Sequence, residues 1–211
     1  MNRGCMRKGR AHRHDWASRL LACLQEMAEQ NTNAVLLLLE GTGKIKPGRQ
    51  YPEGGLLFAG QRWRAFYHCH GYETDHPAEH GHFHVFANVG DWEWAHVAGL
   101  AIDWYGQPVR WFTVNRLLTG GSWLEADRFR MLTGLPVDDG QDTLIGRWLY
   151  AMLGLYRTEL LDLLRQRDAC IQLCRDSSSR GESVHDDRSV CELSTCDIEL
   201  ESTLVAGIHG R

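Results

Sequence analysis

Lysine is nearly missing from this chain. Lys8, Lys44 and Lys46 are the only three, so 20 of the 23 basic residues are arginine. Set against 27 acidic residues they leave a formal charge of -4 and a pI near 6.2. That balance argues against a general nucleic-acid binder, which carries a broad basic surface. Arginine forks onto carboxylates and phosphates, so its excess can mean anion recognition or a composition bias of the source genome, and the second is the simpler account. Long apolar runs are missing as well. The stretch Val35 to Leu39 falls far short of the ~20 residues that span a bilayer, and no apolar segment follows the basic start MNRGCMRKGRAHRH. Neither a signal peptide nor a membrane anchor is expected. There is no C-x-x-C pair either. The seven cysteines are odd in number, with Cys170 and Cys174 four apart and Cys191 and Cys196 in the tail, which implies reduced thiols and a cytoplasmic location.

What is present describes an ordinary folded domain. The chain has 211 residues, 43% of them hydrophobic and 24% charged, with no internal repeat. A chain of this size can bury a core without a structural metal or disulfide, so a metal would serve function. Residues 1–13 read as a disordered basic arm, 14–175 as a single domain, and 176–211 as a linker followed by a weakly specified C-terminal segment.

Helical spacing of Trp16, Leu20, Leu24, Met27 and Ala28 predicts a helix from Asp15 to Glu29. Asn33 to Glu40 is read as a second helix, with a strand as the alternative, and Gly41 to Gly55 as an ordered loop. Aromatic and β-prone residues predict strands at Arg62–His70, Gly81–Val89, Trp94–Asp103 and Val109–Arg116. Four such strands in succession make an antiparallel meander, hence an α+β fold. Ser122 and Glu125 have the spacing of a capping box at a helix start. Leu144, Ile145, Trp148, Met152, Tyr156, Leu160 and Leu163 predict a long helix from Asp142 to Cys174. A last strand is expected within Val190–Leu200.

Histidine is concentrated in the strands. Seven of the eleven histidines (His68, His70, His76, His80, His82, His84 and His96) fall between positions 68 and 96, where even spreading would put about 1.5. The phase says more than the number. Residues two apart in a strand share a face, so His68 and His70 share one, as do His82 and His84, with His80 joining them if its strand extends that far. If the two strands pair through loop 71–80, the two H-x-H pairs lie side by side, about 5 Å apart at Cβ. Imidazoles so placed can converge on one ion. Cys69 points to the other face. His96 is read as a core histidine rather than a further ligand.

Carboxylates stand nearby: Glu73, Asp75 and Glu79 in the loop, Glu93 before the third strand and Asp103 at its end. A set of histidines with a carboxylate suits a divalent transition metal (Fe, Mn, Ni or Zn) without choosing among them. The expected ligands are His68, His70, His82 and His84, with Glu79 or His80 as fifth ligand or proton shuttle. The aromatic residues around them, from Trp63 to Phe112, read as core. Asn115, Arg116 and the Thr119–Ser122 turn read as a strand-to-helix connection, with anion binding the less economical alternative.

H-x-H on a strand resembles the first motif of the cupins, but the glutamate of that motif is replaced by Asn88 or Val89 after His84, and Glu73 follows His70 too closely. FYHCH at 66–70, EHGHFHVF at 79–86, HVAGLAID at 96–103 and FTVNRLLTGGSW at 112–123 resemble an uncharacterised bacterial family, one of the domains of unknown function, over about residues 50 to 135. That resemblance implies that the four segments form one unit, and it carries no activity. Three functions stay open: a metal-dependent enzyme, an oxidoreductase rather than a hydrolase; a non-catalytic binder of metal ions or a small molecule; and a scaffold with a metal-free histidine-lined pocket. A small-molecule substrate is expected under the first, with nucleic acid and membrane excluded as partners.

Overall fold

A computed structural model describes residues 3–39, 45–69, 76–133, 142–177 and 192–210. Strands β1 (Tyr51–Phe58), β2 (Trp63–His68), β3 (Glu79–Gly90), β4 (Glu93–Asp103), β5 (Pro108–Val114) and β6 (Glu192–Asp197) form one antiparallel sheet in that order. Helices α1 (Arg3–Glu29) and α2 (Ala34–Leu39) precede it, and α3 (Arg116–Thr119), α4 (Ala126–Leu132), α5 (Leu144–Leu155) and α6 (Arg157–Ser177) fill the connection from β5 to β6. Helix α7 (Leu200–His209) closes the order and packs on α1. The fold is α+β with a meander sheet.

Alternation along each strand divides the sheet into two faces. Trp63, Ala65 and Tyr67 of β2, Phe83, Val85 and Ala87 of β3, Leu100 and Ile102 of β4 and Trp111 of β5 belong to one buried apolar cluster with residues of α1, α4, α5 and α6. Ring contacts tie the two layers: Trp63 to Phe129 at 6.2 Å, Phe83 to Trp148 at 5.9 Å and Trp111 to Tyr156 at 6.4 Å. The residues between them, His68, His82 and His84 included, point the other way. The helical layer therefore anchors the strands through every second side chain and leaves the others on the opposite face of the sheet.

Several elements differ from expectation. The helix expected from Asp15 starts at Arg3 and takes in the segment read as a disordered arm. The loop expected to reach Gly55 gives way to β1 at Tyr51, an edge strand whose Pro52, Gly54 and Gly55 fall in the irregular stretch between Tyr51 and Leu56, where pairing with β2 is interrupted. Ser122 does not cap a helix: its hydroxyl donates to Glu93, its backbone bridges Ala95, and α4 begins later at Ala126. The long helix breaks at Tyr156 into α5 and α6. Among the described residues no helix is long and apolar enough to cross a membrane.

Candidate metal centre

The register of β2 against β3 decides which imidazoles meet. His68 stands opposite His82, and Phe66 opposite His84. His68 therefore meets His82, and the residue facing His84 is an aromatic. Three rings come together: centroids lie 4.4 Å apart for His68 and His82, 4.9 Å for His68 and His84, and 4.7 Å for His82 and His84. One nitrogen from each lies within 4.8 Å of the other two, so this group could hold a metal ion. His82 and His84 are buried and His68 is half-buried. His70 lies outside the described residues, as do Glu73 and Asp75.

His82 Nε2 and His84 Nε2 share a hydrogen bond at 3.1 Å, with a proton on one of the two nitrogens. Bonds of about 2.0–2.1 Å to a tetrahedral ion place ligand nitrogens about 3.3 Å apart, so an ion replacing that proton would need little change in their separation. His84 Nδ1 in turn lies 3.0 Å from His96 Nε2. His96 is buried, and burial followed by the Arg167 charge lowers its pKa to about 3. It stays neutral and can accept from His84 Nδ1–H. In that tautomer the His84 Nε2 lone pair accepts from His82 Nε2–H, and a metal ion would take the place of that proton.

Aromatic rings and small residues frame the group. Phe66 lies 5.2 Å from the His84 ring and Phe112 5.1 Å from the His82 ring, centroid to centroid. On β4, Gly99 faces His84 and Ala101 faces His82. A Cβ on Gly99 would fall 2.2 Å from Phe112 Cζ, so the glycine makes the space in which Phe112 lies beside the histidines.

Each residue of EHGHFH has a physical assignment. Glu79 forms an ion pair with Arg110, whose guanidinium also reaches Glu192 at 2.8 Å and lies 4.6 Å from the Phe112 centroid. His80 Nδ1 is hydrogen-bonded to Tyr67 Oη at 2.6 Å, and its ring stands edge-on to Trp104 at 4.9 Å. Burial lowers the pKa of His80 and raises that of Tyr67. A register shift between Glu79 and Gly81 turns His80 toward Tyr67, a member of the helix-facing core, instead of toward His82. Gly81 has no room for a side chain, since a Cβ would meet Tyr67 Oη at 2.6 Å and the His68 carbonyl oxygen at 2.5 Å. His82 and His84 form the site and Phe83 the core between them.

The remaining candidates go elsewhere. Asp103 Oδ1 accepts from the Tyr105 and Gln107 amides of its turn, both at 2.8 Å. Glu93 binds Ser122. Buried Cys69 is not in the ligand group. His96 touches the centre through His84, a role that spacing could not reveal because a register shift between Val85 and Phe86 sets it opposite Phe86. Phe112 and Arg110 carried no signal beyond core and surface patterning.

Fold and site together define an α+β protein with a histidine-bearing sheet face that could hold a metal ion. Residues 14–198 match the family described as Domain of unknown function (DUF6969), and the chain belongs to that family. No curated protein and no solved structure matches the chain.

Proposed function

We propose that this protein binds one divalent transition metal (Fe, Mn, Ni or Zn) through His68, His82 and His84, and that the ion keeps an open position for a small ligand. The observation that carries this reading is the triangle of imidazoles, with one nitrogen from each within 4.8 Å of the others. His96 supports it by accepting from His84, the outer hydrogen bond that ligating histidines commonly make. Three neutral nitrogen donors leave the charge of the ion uncompensated and its shell incomplete, which suits activation of a bound molecule. A metal-dependent oxidoreductase is the enzymatic form of the proposal, because Fe(II) and Mn(II) are among the ions such a site accepts. In this reading Glu79 is held by Arg110 and His80 by Tyr67, and neither is a ligand.

A non-catalytic metal-ion binder is the second reading. It is favoured by one observation: Glu79 is held by Arg110 and His80 by Tyr67, so neither expected proton shuttle joins the three imidazoles. The coordination shell separates the two, since an exchangeable water at the ion favours catalysis and a shell filled by protein favours binding alone.

The test is metal content and affinity of protein purified without a histidine tag and reconstituted with each ion. About one equivalent is expected. His82→Ala should weaken affinity by roughly 100-fold or more, whereas His209→Ala, at the exposed end of α7, should leave it unchanged. Less than about a tenth of an equivalent in every case refutes the proposal.

A further inference from the structure

Arg64 lies on β2, two residues before Phe66 and four before His68, and so shares their face of the sheet. Its guanidinium rests over two rings, 5.1 Å from the centroid of Phe86, its partner on β3, and 4.9 Å from that of Trp94 on β4. The stem lies on Gly55 of β1, where a Cβ would come within 3.0 Å of Arg64 Cγ. Contacts from three strands thus fix the side chain, and none of them brings a negative charge.

This sets Arg64 apart from three other well-held arginines. Arg110 is paired with Glu79 and Glu192, Arg147 with Glu26, and Arg167 with Asp168. Among the described residues no carboxylate is paired with Arg64, and its buried Nε has no hydrogen-bond partner. Burial lowers its pKa, as it must where no anion offsets the lost hydration. Aromatic faces hold a guanidinium in place while leaving its in-plane N–H groups available, the geometry in which arginine receives a forked oxyanion.

The cation also borders the metal centre. The Phe86 ring that it covers lies 5.2 Å from the His96 ring and 6.4 Å from the His84 ring. Arg64 and the histidine group are therefore both neighbours of one aromatic residue. Building on the metal reading above, we propose that Arg64 anchors the oxyanion of the site's ligand, a small organic anion with carboxylate or phosphate at one end and a donor for the metal at the other. An ion held by three neutral ligands attracts an anionic donor, so the ligand carries charge at both ends, as a short dicarboxylate or a phosphorylated carboxylate does.

Titrations of the full chain test this, first with Co(II) and then, on the loaded protein, with glutarate, inorganic phosphate and acetate. Glutarate or phosphate should bind wild type and shift the Co(II) visible spectrum or release heat, and acetate should bind at least about tenfold more weakly. Arg64→Leu should weaken the tighter anion by about tenfold or more and Arg64→Lys by less, with Co(II) affinity unchanged in both. Whichever of glutarate and phosphate binds tighter identifies the oxyanion. Equal anion affinity in wild type and Arg64→Lys and Arg64→Leu overturns the proposal, and so does the absence of glutarate and phosphate binding. If neither Co(II) nor any of Fe, Mn, Ni and Zn binds, the metal reading fails on its own, and the same titrations of the metal-free chain decide the role of Arg64: Arg64-dependent binding supports it and no binding overturns it.

Discussion

His84 Nδ1 faces His96 Nε2 at 3.0 Å, so one hydrogen bond joins the imidazole that would hold the ion to one held neutral in the core of the same face. Removing the acceptor should free His84 to take the other tautomer and turn its lone pair away from the site. His96→Ala is expected to weaken metal binding by roughly 10–100-fold, the usual effect of losing an outer partner of a ligating histidine, while His96→Gln, which keeps a carbonyl acceptor, should recover part of it. Competition titration against a chelator reads both. Equal affinity for His96→Ala and wild type would remove His96 from the account.

The same histidine makes the metal-free protein acid-sensitive. Its folded pKa of about 3 lies below the ~6.5 of an unfolded imidazole. In that interval the unfolded chain binds the extra proton, so the stabilisation is complete above pH ~6.5 and is lost as pH falls toward 3. Between about pH 7 and 4.5 the apo protein should lose roughly 2–3 kcal/mol from this group. Urea unfolding across that range measures it, and His96→Gln should show a shallower decline. Parallel declines in the two proteins would contradict the assignment.

Gly99 is expected to resist any side chain. Gly99→Ala drives a methyl into the Phe112 ring, and overpacking of this kind costs about 1–3 kcal/mol. The shifted ring should also disturb His82, its edge-on neighbour at 5.1 Å. Chemical denaturation together with metal titration tests both effects. A variant as stable as wild type would show that Phe112 has room to move.

Glu79 separates structural from ligand roles. Glu79→Gln leaves Arg110 with Glu192 as its remaining carboxylate and should destabilise the fold by about 1–3 kcal/mol while changing metal affinity far less than His82→Ala. A loss of metal matching that of His82→Ala would make the carboxylate a ligand after all.

The phase of the H-x-H pairs was legible in the sequence because side-chain alternation is a property of any extended strand. It put His68 with His70 and His82 with His84, and pairing of β2 with β3 brings His68, His82 and His84 together. The register was not legible: loop 71–80 could be satisfied by several pairings, and the observed one sets His84 against Phe66 instead of a histidine. His80 shows the other limit. Counting by twos puts it with His82, but the shift beside Gly81 sends it to Tyr67. The meander and β6 followed from β-prone runs, whereas β1 was hidden by Pro52, Gly54 and Gly55, which sit in the irregular stretch between its paired residues Tyr51 and Leu56. His96 and Arg64 matter through neighbours on other strands, which no spacing within one strand encodes.

Anomalous diffraction at the absorption edge of the reconstituted metal tests the central claim most directly. A single peak about 2.0–2.3 Å from nitrogens of His68, His82 and His84, with His96 still bonded to His84, is the expected result. A peak elsewhere, or none at full metal loading with the three rings pointing apart, would contradict it.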